Sequence, residues 1–171
     1  MSSLKYLNLE SCRVGHPHRI WSDIRNPLDG RKASVKARIL TQRYPIATSH
    51  TAGPRKSENC PLCQNAIETT EHFLLKCPES AAVRKEYISN ILLATGNSLI
   101  NPDSDLLLQL IIDPSLYNQS NQIQRTTRDL TFKLHNFRSL HVRGVSGYRA
   151  LPVTTKKPRS TDHRLQVQRR L

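Results

Sequence analysis

The sequence predicts a mainly α protein, a small helical domain organised around a cluster of cysteine and histidine residues and followed by a disordered basic tail. Four segments repeat apolar residues at helical spacing, and we find neither an internal repeat nor a convincing β-hairpin. Three cysteines and a histidine fall within 18 residues in the middle of the chain. With 171 residues, of which 37% are hydrophobic, we expect one ordinary domain, or two very small ones, with a modest core.

Residues 1–58 are predicted to be a basic helical region that ends in a loop. From Asp29 to Tyr44, apolar residues recur at spacings of four, three and four, which places them on one stripe of a helix. This stripe consists of Ala33, Ala37, Leu40 and Tyr44. Pro45 ends the helix because proline lacks the N–H group and disfavours helical geometry in the residue before it. Residues 46–58 then form the loop.

Two shorter helices are predicted in the middle of the chain. The first covers Ala81–Ala94, with Ser80 placed to cap its N-terminus. The second lies between Pro102 and Pro114 and is apolar nearly all round. A helix of that kind has to be covered on more than one side.

The fourth helical pattern is the longest and lies in residues 97–146, a region predicted to pack on the cysteine segment. Its seam alternates spacings of four and three and consists of Ile123, Thr127, Leu130, Leu134, Phe137 and His141. Two coverings stay open for this seam. We favour burial against the chain's own Leu106–Ile112 helix over docking on another subunit.

Basic charge is concentrated at the two ends of the chain. Residues 1–58 carry 11 basic and four acidic side chains, residues 59–137 carry six and eight, and residues 138–171 carry nine and one, within a formal net charge of +13. This excess predicts a polyanionic partner, with nucleic acid ahead of anionic membrane, although solvated flanks around a neutral core would distribute charge in the same way. Residues 147–171, with many basic and few apolar residues, are predicted to be a disordered tail.

The sequence shows no pattern of a membrane or secreted protein. Its N-terminal residues lack the apolar core of a signal peptide, and the longest apolar stretch, Leu106 to Ile112, is interrupted by Gln109. We therefore expect an intracellular, non-secreted chain without a membrane partner. Intracellular thiols stay reduced, so metal binding or catalysis explains four cysteines better than disulfides do.

The most specific pattern lies in residues 59–96 and joins Cys60, Cys63, His72 and Cys77 as C-x2-C-x8-H-x4-C. Three thiolates and one imidazole are a standard tetrahedral set for zinc, and the first two cysteines reach one ion from a single turn. Because all four positions are filled, the pattern predicts one structural Zn²⁺ and no open catalytic position. Zinc binding is then coupled to folding of the segment.

The residues between the ligands favour a particular geometry. Pro61 presets the turn between the first two cysteines, and residues 68–71 look like the first turn of a helix that carries His72. On a continuing helix, His72 and Cys77 would point about 140° apart. Pro78 biases Cys77 out of helical geometry and lets the chain turn back to the metal.

The same four residues also fit roles without a metal. His72 suits a core histidine and Cys77 a small buried hydrophobe. Cys60 and Cys63 suit a redox dithiol, although such a pair usually lies where a strand meets a helix, a context that the sequence does not show. The isolated Cys12 is best explained as a free thiol.

The Cys60–Cys63 pair, the run Glu-Thr-Thr-Glu-His-Phe-Leu-Leu-Lys-Cys-Pro at 68–78, and Arg84 in the following helix together carry a resemblance. They resemble the zinc-binding domain C-terminal to the reverse transcriptase of non-LTR (LINE-type) retrotransposons. Residues 15–21 and 37–45 are also similar to what precedes the cysteines in such elements. The resemblance covers about residues 10–140, is specific at the cysteines, and implies that the four cluster residues are zinc ligands.

The sequence does not predict an enzyme. Polymerase and ribonuclease H chemistry use clustered carboxylates to hold two metal ions, and the 13 acidic residues show no paired-aspartate signature. Asp103 and Asp105 are best explained as a helix start. The phosphate-binding loop, the Ser/His/Asp order and the H-E-x-x-H pattern are all absent from the sequence. We expect no small-molecule substrate.

The function predicted first is a nucleic-acid-binding module for RNA or single strands, in which zinc fixes a helical scaffold and basic residues grip phosphate. The predicted contacts are Lys32, Lys36, Arg38, Arg43, Arg55, Lys56, Lys156, Lys157 and Arg159. Base stacking has less support because Trp21, Tyr44 and Tyr87 lie where a core would need them, which leaves Tyr148 in the tail as the freest candidate. The alternatives are a zinc-stabilised module that docks residues 123–141 on a reverse transcriptase or another protein, and a non-functional retrotransposon relic.

Overall fold

A computed structural model describes residues 6–8, 12–47, 57–95, 102–116 and 121–145. Over these residues the chain is mainly α-helical, as predicted, and one isolated antiparallel bridge is its only β pairing. The helices are α1 (Pro27–Leu40), α2 (Ala81–Ala94), α3 (Ser104–Ile112) and α4 (Asn121–Val145). Shorter 3-10 and π-helical turns lie between them. The predicted tail and loop residues 48–56 lie outside the described residues.

Helix α1 is shorter than predicted at its C-terminal end. It starts normally, because the Asn26 side chain accepts a hydrogen bond from the Asp29 amide at 2.9 Å. It ends at Leu40 because Gln42 adopts a left-handed conformation with φ 55°. The amide of Tyr44 then donates to the Arg38 carbonyl at 2.9 Å. Tyr44 is buried as predicted, but it reaches the core from the turn after the helix.

The two middle helices lie where the sequence predicts them. The bounds of α2 match the prediction, but the Ser80 side chain makes no capping hydrogen bond to the helix backbone. Its hydroxyl instead contacts Arg84 and the Cys77 carbonyl. In α3, the Asp103 carboxylate caps the N-terminus by accepting from the Leu106 amide at 2.7 Å.

The long helix α4 buries its seam within the chain itself. Ile123, Thr127, Leu130 and Leu134 are buried, Phe137 is half-buried and His141 is exposed. The prediction that the Leu106–Ile112 helix covers this seam is wrong for most of its length, because α4 packs chiefly against α1 and α2. Nine residues of α3 span only about 13 Å, whereas 25 residues of α4 span about 37 Å. The three buried aliphatic residues are not available to another subunit.

One apolar cluster joins the described elements. It includes the apolar faces of α1, α2, α3 and α4, and the π-helical turn His72–Lys76 contributes to it. Representative members are Ile20, Ala33, Ile39, Tyr44, Phe73, Leu74, Ile91, Leu110, Ile111, Leu130 and Leu134. Among the described helices, none is long and apolar enough to cross a membrane.

Candidate metal centre

The first two cysteines lie on a small hairpin that the sequence did not predict. The Cys60 amide donates to the Ala66 carbonyl at 2.7 Å, and the Glu68 amide donates to the Glu58 carbonyl at 2.9 Å. Between these hydrogen bonds, Asn59 and Ile67 form the antiparallel bridge. A pairing of this length is too short to produce the alternating apolar pattern that marks a strand.

The other two ligands lie at the ends of a widened helical turn. His72–Lys76 is a π-helical turn, and the Cys77 amide donates to the His72 carbonyl at 2.8 Å. Cys77 itself is extended, with φ −61° and ψ 119°, immediately before Pro78. The prediction that Cys77 leaves helical geometry is confirmed. The widening of the turn was not predicted, because no residue pattern in the sequence distinguishes it from an α-helical turn.

The four side chains converge to the spacing of a tetrahedral metal site. Their ligand atoms all lie within 4.8 Å of one another. The Sγ atoms of Cys60 and Cys77 are 3.8 Å apart, and Cys63 Sγ is 3.4 Å from His72 Nε2. A tetrahedral ion with metal–sulfur bonds of about 2.3 Å sets its sulfurs about 3.8 Å apart. The four residues therefore fit one metal ion, and they leave no protein ligand position open.

Burial controls the protonation of these ligands. Desolvation, together with the neighbouring Cys77, raises the pKa of the Cys60 thiol to about 12. Desolvation also lowers the pKa of His72, which favours the neutral imidazole that metals bind. A bound divalent cation would supply the positive charge that favours the thiolate form of Cys60, Cys63 and Cys77.

Arg84 fixes the backbone of the fourth ligand. Its guanidinium is buried and donates to the Cys77 carbonyl at 2.6 Å and to the Ser80 hydroxyl at 2.5 Å. Arg84 thereby ties the start of α2 to the metal centre. Groups of this kind hold a ligand in place without contacting the metal.

Glu68 ties the hairpin to α4, a role that the sequence did not predict. The expected first turn of a helix at residues 68–71 is wrong for Glu68, which ends the hairpin and is fully buried. Its carboxylate accepts from Arg138 at 2.5 and 2.9 Å and from the Ala47 amide at 2.8 Å. The partner is 70 residues away in the chain, so local sequence carries no signal of the pair.

An aromatic contact joins the same regions. The Tyr44 ring stacks on Phe73, with centroids 5.2 Å apart, and its hydroxyl hydrogen-bonds His135 Nδ1 at 2.8 Å. Burial raises the pKa of Tyr44 to about 12, so the hydroxyl stays protonated. The metal hairpin and π turn thus rest directly on the helical core.

No family model, no curated protein and no solved structure matches this chain. The resemblance to the zinc-binding domain of retrotransposon reverse transcriptases therefore stays a prediction from the sequence. Other thiols and imidazoles of the described chain lie apart from the centre: Cys12 is exposed, and His18 Nε2 lies 3.4 Å from Asp113.

The prediction that Lys36 contacts nucleic acid is wrong. The side chain is 0% exposed, because α4 covers that face of α1. Its Nζ donates to Gln124 Oε1 at 3.1 Å and to Thr127 Oγ1 at 2.5 Å. Burial lowers the pKa of Lys36 to about 7.

The remaining predicted basic contacts fall into three groups. The Lys32 side chain is 20% exposed and forms an ion pair with Asp129 at 2.7 Å. This pairing leaves it less available for a phosphate than an exposed, unpaired lysine. Arg38 and Arg43 are exposed, and so is Arg31, which sequence reasoning missed. The sequence could have predicted this, since Arg31 and Arg38 are seven residues apart and therefore lie on one face of the helix. Outside the described residues lie Arg55, Lys56, Lys156, Lys157 and Arg159.

Proposed function

We propose that this chain is a zinc-binding, nucleic-acid-binding module for RNA or single strands, without polymerase activity of its own. The observation that carries the proposal is the convergence of three thiols and one imidazole at tetrahedral spacing in a chain of net charge +13. The resemblance of residues 60–84 to the zinc-binding domain of retrotransposon reverse transcriptases supports the same assignment. In this function the zinc ion is structural and the basic residues bind phosphate.

The ligand set favours zinc over other metals. Thiolates and imidazole are soft or borderline ligands, which disfavours magnesium and calcium. A closed tetrahedral Cys3His set is a common structural zinc site. The ion would hold the hairpin, the π turn and the start of α2 in one arrangement. Three short segments bury too little apolar surface to fix that arrangement by themselves.

Native mass spectrometry of the reduced protein, purified without a metal-binding tag, tests the metal. We expect one zinc ion per chain in the wild type and in Cys12→Ser, whose thiol is exposed and remote from the centre. Cys77→Ser removes one of four ligands and should lose the ion. Absence of zinc from freshly prepared wild-type protein would contradict the proposal.

Titration of a labelled oligoribonucleotide at several salt concentrations tests the nucleic acid. Binding through phosphate contacts releases counterions, so log affinity should fall linearly with log salt. If three basic side chains contact phosphate, the plot of log affinity against log salt should have a slope of about −2 for a single strand. An affinity that is flat from low to physiological salt, or no binding at low salt, would rule out this mechanism.

A further inference from the structure

A groove of about 580 Å³ lies between the turn Arg19–Trp21, α1 and α4. Its lining includes Trp21 from the turn, Arg31, Val35 and Arg38 from α1, and Phe132 and His135 from α4. This volume is in the range of sites that hold one small organic group. Of these residues, only Arg38 is among the basic contacts that the sequence predicts.

Trp21 presents an aromatic surface at this groove. It is the only tryptophan of the chain, and 43% of it is exposed, whereas a core role would bury it. Its backbone is fixed, because the Trp21 amide donates to the His18 carbonyl at 2.9 Å and the preceding Ile20 is anchored in the core. Among the described aromatic residues, none stacks on the indole. The backbone of Trp21 is therefore anchored, and part of its indole is open at the groove.

The α4 wall of the groove is also aromatic. Phe132 is half-buried, and its ring centroid lies 6.2 Å from that of His135. His135 is in turn hydrogen-bonded to the buried hydroxyl of Tyr44 at 2.8 Å. Phe132 and His135 therefore give the groove a second aromatic wall opposite the turn.

The groove also carries positive charge that the fold does not neutralise. Arg31 and Arg38 are exposed and lie about 10 Å apart along α1. Neither guanidinium forms an ion pair within the described residues, and no acidic residue lines the groove. On the neighbouring face of α1 the positive charges are neutralised, because Lys32 pairs with Asp129 and Arg125 pairs with Asp23. Arg31 and Arg38 therefore keep their charge for a ligand, whereas the cations on the neighbouring face of α1 do not.

We propose that this groove is a binding site for single-stranded nucleic acid, in which a base stacks on Trp21 and flanking phosphates pair with Arg31 and Arg38. An exposed ring in a groove lined by two cations suits an unpaired base, because a base within a duplex cannot offer its face. Anionic phosphate complements the two guanidinium groups, which form no ion pair with the described residues. The proposal rests on the proposed nucleic-acid function and deepens it by naming the surface and the form of the strand.

Fluorescence of the full zinc-loaded chain reads this site directly, since Trp21 is the single tryptophan. Titration with a short unstructured oligoribonucleotide should quench the emission, with the same midpoint as the anisotropy of a labelled copy of that strand. Trp21→Ala should weaken binding by about fivefold or more, and Trp21→Phe should recover much of it because a phenyl ring still stacks. A pre-formed duplex of the same sequence should bind more weakly and quench less.

Charge-matched variants separate this groove from general attraction. Arg31→Gln with Arg38→Gln should weaken binding more than Lys85→Gln with Lys133→Gln, which removes two exposed charges outside the groove. Binding without quenching, or equal losses from the two double variants, would overturn the groove while leaving the proposed function standing. No binding at low salt would overturn both. Quenching that depends on protein concentration without any oligonucleotide would indicate self-association and also overturn the groove.

Discussion

At the scale of single residues, Arg84 and Lys36 show how differently burial acts on arginine and on lysine when the hydrogen-bond partners are neutral. Arg84 donates to a carbonyl and a hydroxyl, and Lys36 donates to an amide oxygen and a hydroxyl. Burial lowers the pKa of both. Arginine stays charged at any pH that a folded protein tolerates, whereas lysine loses its proton when burial is complete. The same environment therefore makes Arg84 a permanent anchor and Lys36 a titrating group.

Arg84→Ala should weaken zinc binding by about 10- to 100-fold, because the Cys77 carbonyl loses the donor that positions the fourth ligand. Competition with a chromophoric chelator measures the affinity. Lys85→Ala, at the neighbouring exposed position of the same helix, controls for general effects on α2 and should leave affinity unchanged. Equal affinities for the two variants would show that Arg84 does not position Cys77.

Lys36→Met should change how stability depends on pH. The pKa of Lys36 is about 7 in the fold against 10.5 for an ordinary lysine. Between these values the unfolded chain holds the proton and the folded chain does not, so this residue makes stability rise with pH, by up to about 1.4 kcal/mol per pH unit. Below pH 7 its burial cost is present in full.

Urea unfolding at several pH values between 6 and 9 measures this effect as the difference between wild type and Lys36→Met, in which contributions of the metal ligands cancel. The free energy of unfolding of wild type should rise relative to that of Lys36→Met as the pH rises above 7. Lys85→Met, which removes an exposed lysine, should run parallel to wild type. Parallel curves for Lys36→Met as well would contradict a neutral buried amine.

At the scale of elements, the metal ligands are presented by two departures from regular structure. The turn after the first cysteines places Gln64 at a φ of 58°, and its amide donates to the Cys60 carbonyl at 2.9 Å. The turn before Cys77 is widened to π-helical geometry. Left-handed geometry costs a residue with a side chain about 1 kcal/mol or more. A bound ion offsets such costs by joining both turns.

Gln64→Gly should stabilise the zinc-loaded protein by about 0.5–1 kcal/mol, because glycine adopts the left-handed conformation without steric cost. Gln64→Val should destabilise it, since a β-branched side chain tolerates that conformation least. Urea unfolding in excess zinc gives both values. Asn65→Gly, one position along in the same exposed turn, should bring no gain, and a loss of stability in Gln64→Gly would exclude strain at this position.

At the scale of the whole molecule, the metal centre and the helical core are joined by specific long-range contacts. Glu68 binds Arg138 of α4, and Phe73 of the π turn stacks on Tyr44 after α1. Removing one member of a buried ion pair costs several kcal/mol because the other charge is left without a partner. Unfolding of the hairpin and π turn would therefore break contacts that α4 and the turn after α1 need.

Removal of zinc should lower the midpoint of thermal unfolding by at least about 10 °C and reduce the helical circular dichroism signal. The treatment is a strong chelator with a thiol reductant, followed by dialysis. Adding zinc should restore both signals, and adding magnesium should not, because magnesium prefers oxygen ligands. Cys12→Ser should respond like wild type. An unchanged midpoint after complete removal would show that the centre does not support the core.

Much of the candidate site was predictable because its signals are local. The spacing of Cys60, Cys63, His72 and Cys77, and the proline after the last of them, predict convergence on one ion. The hairpin and the π turn that deliver this convergence were not predictable. Each spans a few residues and leaves no periodic pattern, and Glu68 is explained only by an arginine far along the chain.

The sequence by itself determined the helical class, the bounds of α2, the place of α3 and α4, and the set of metal ligands, since caps, prolines and apolar spacing act over a few residues. Only the tertiary structure decided which side of each helix is covered. It buried Lys36 under α4, left Trp21 and Arg31 at a groove, and closed the α4 seam on α1 and α2. The physical reason is that burial is a property of two elements in contact, and neither element's sequence specifies its neighbour.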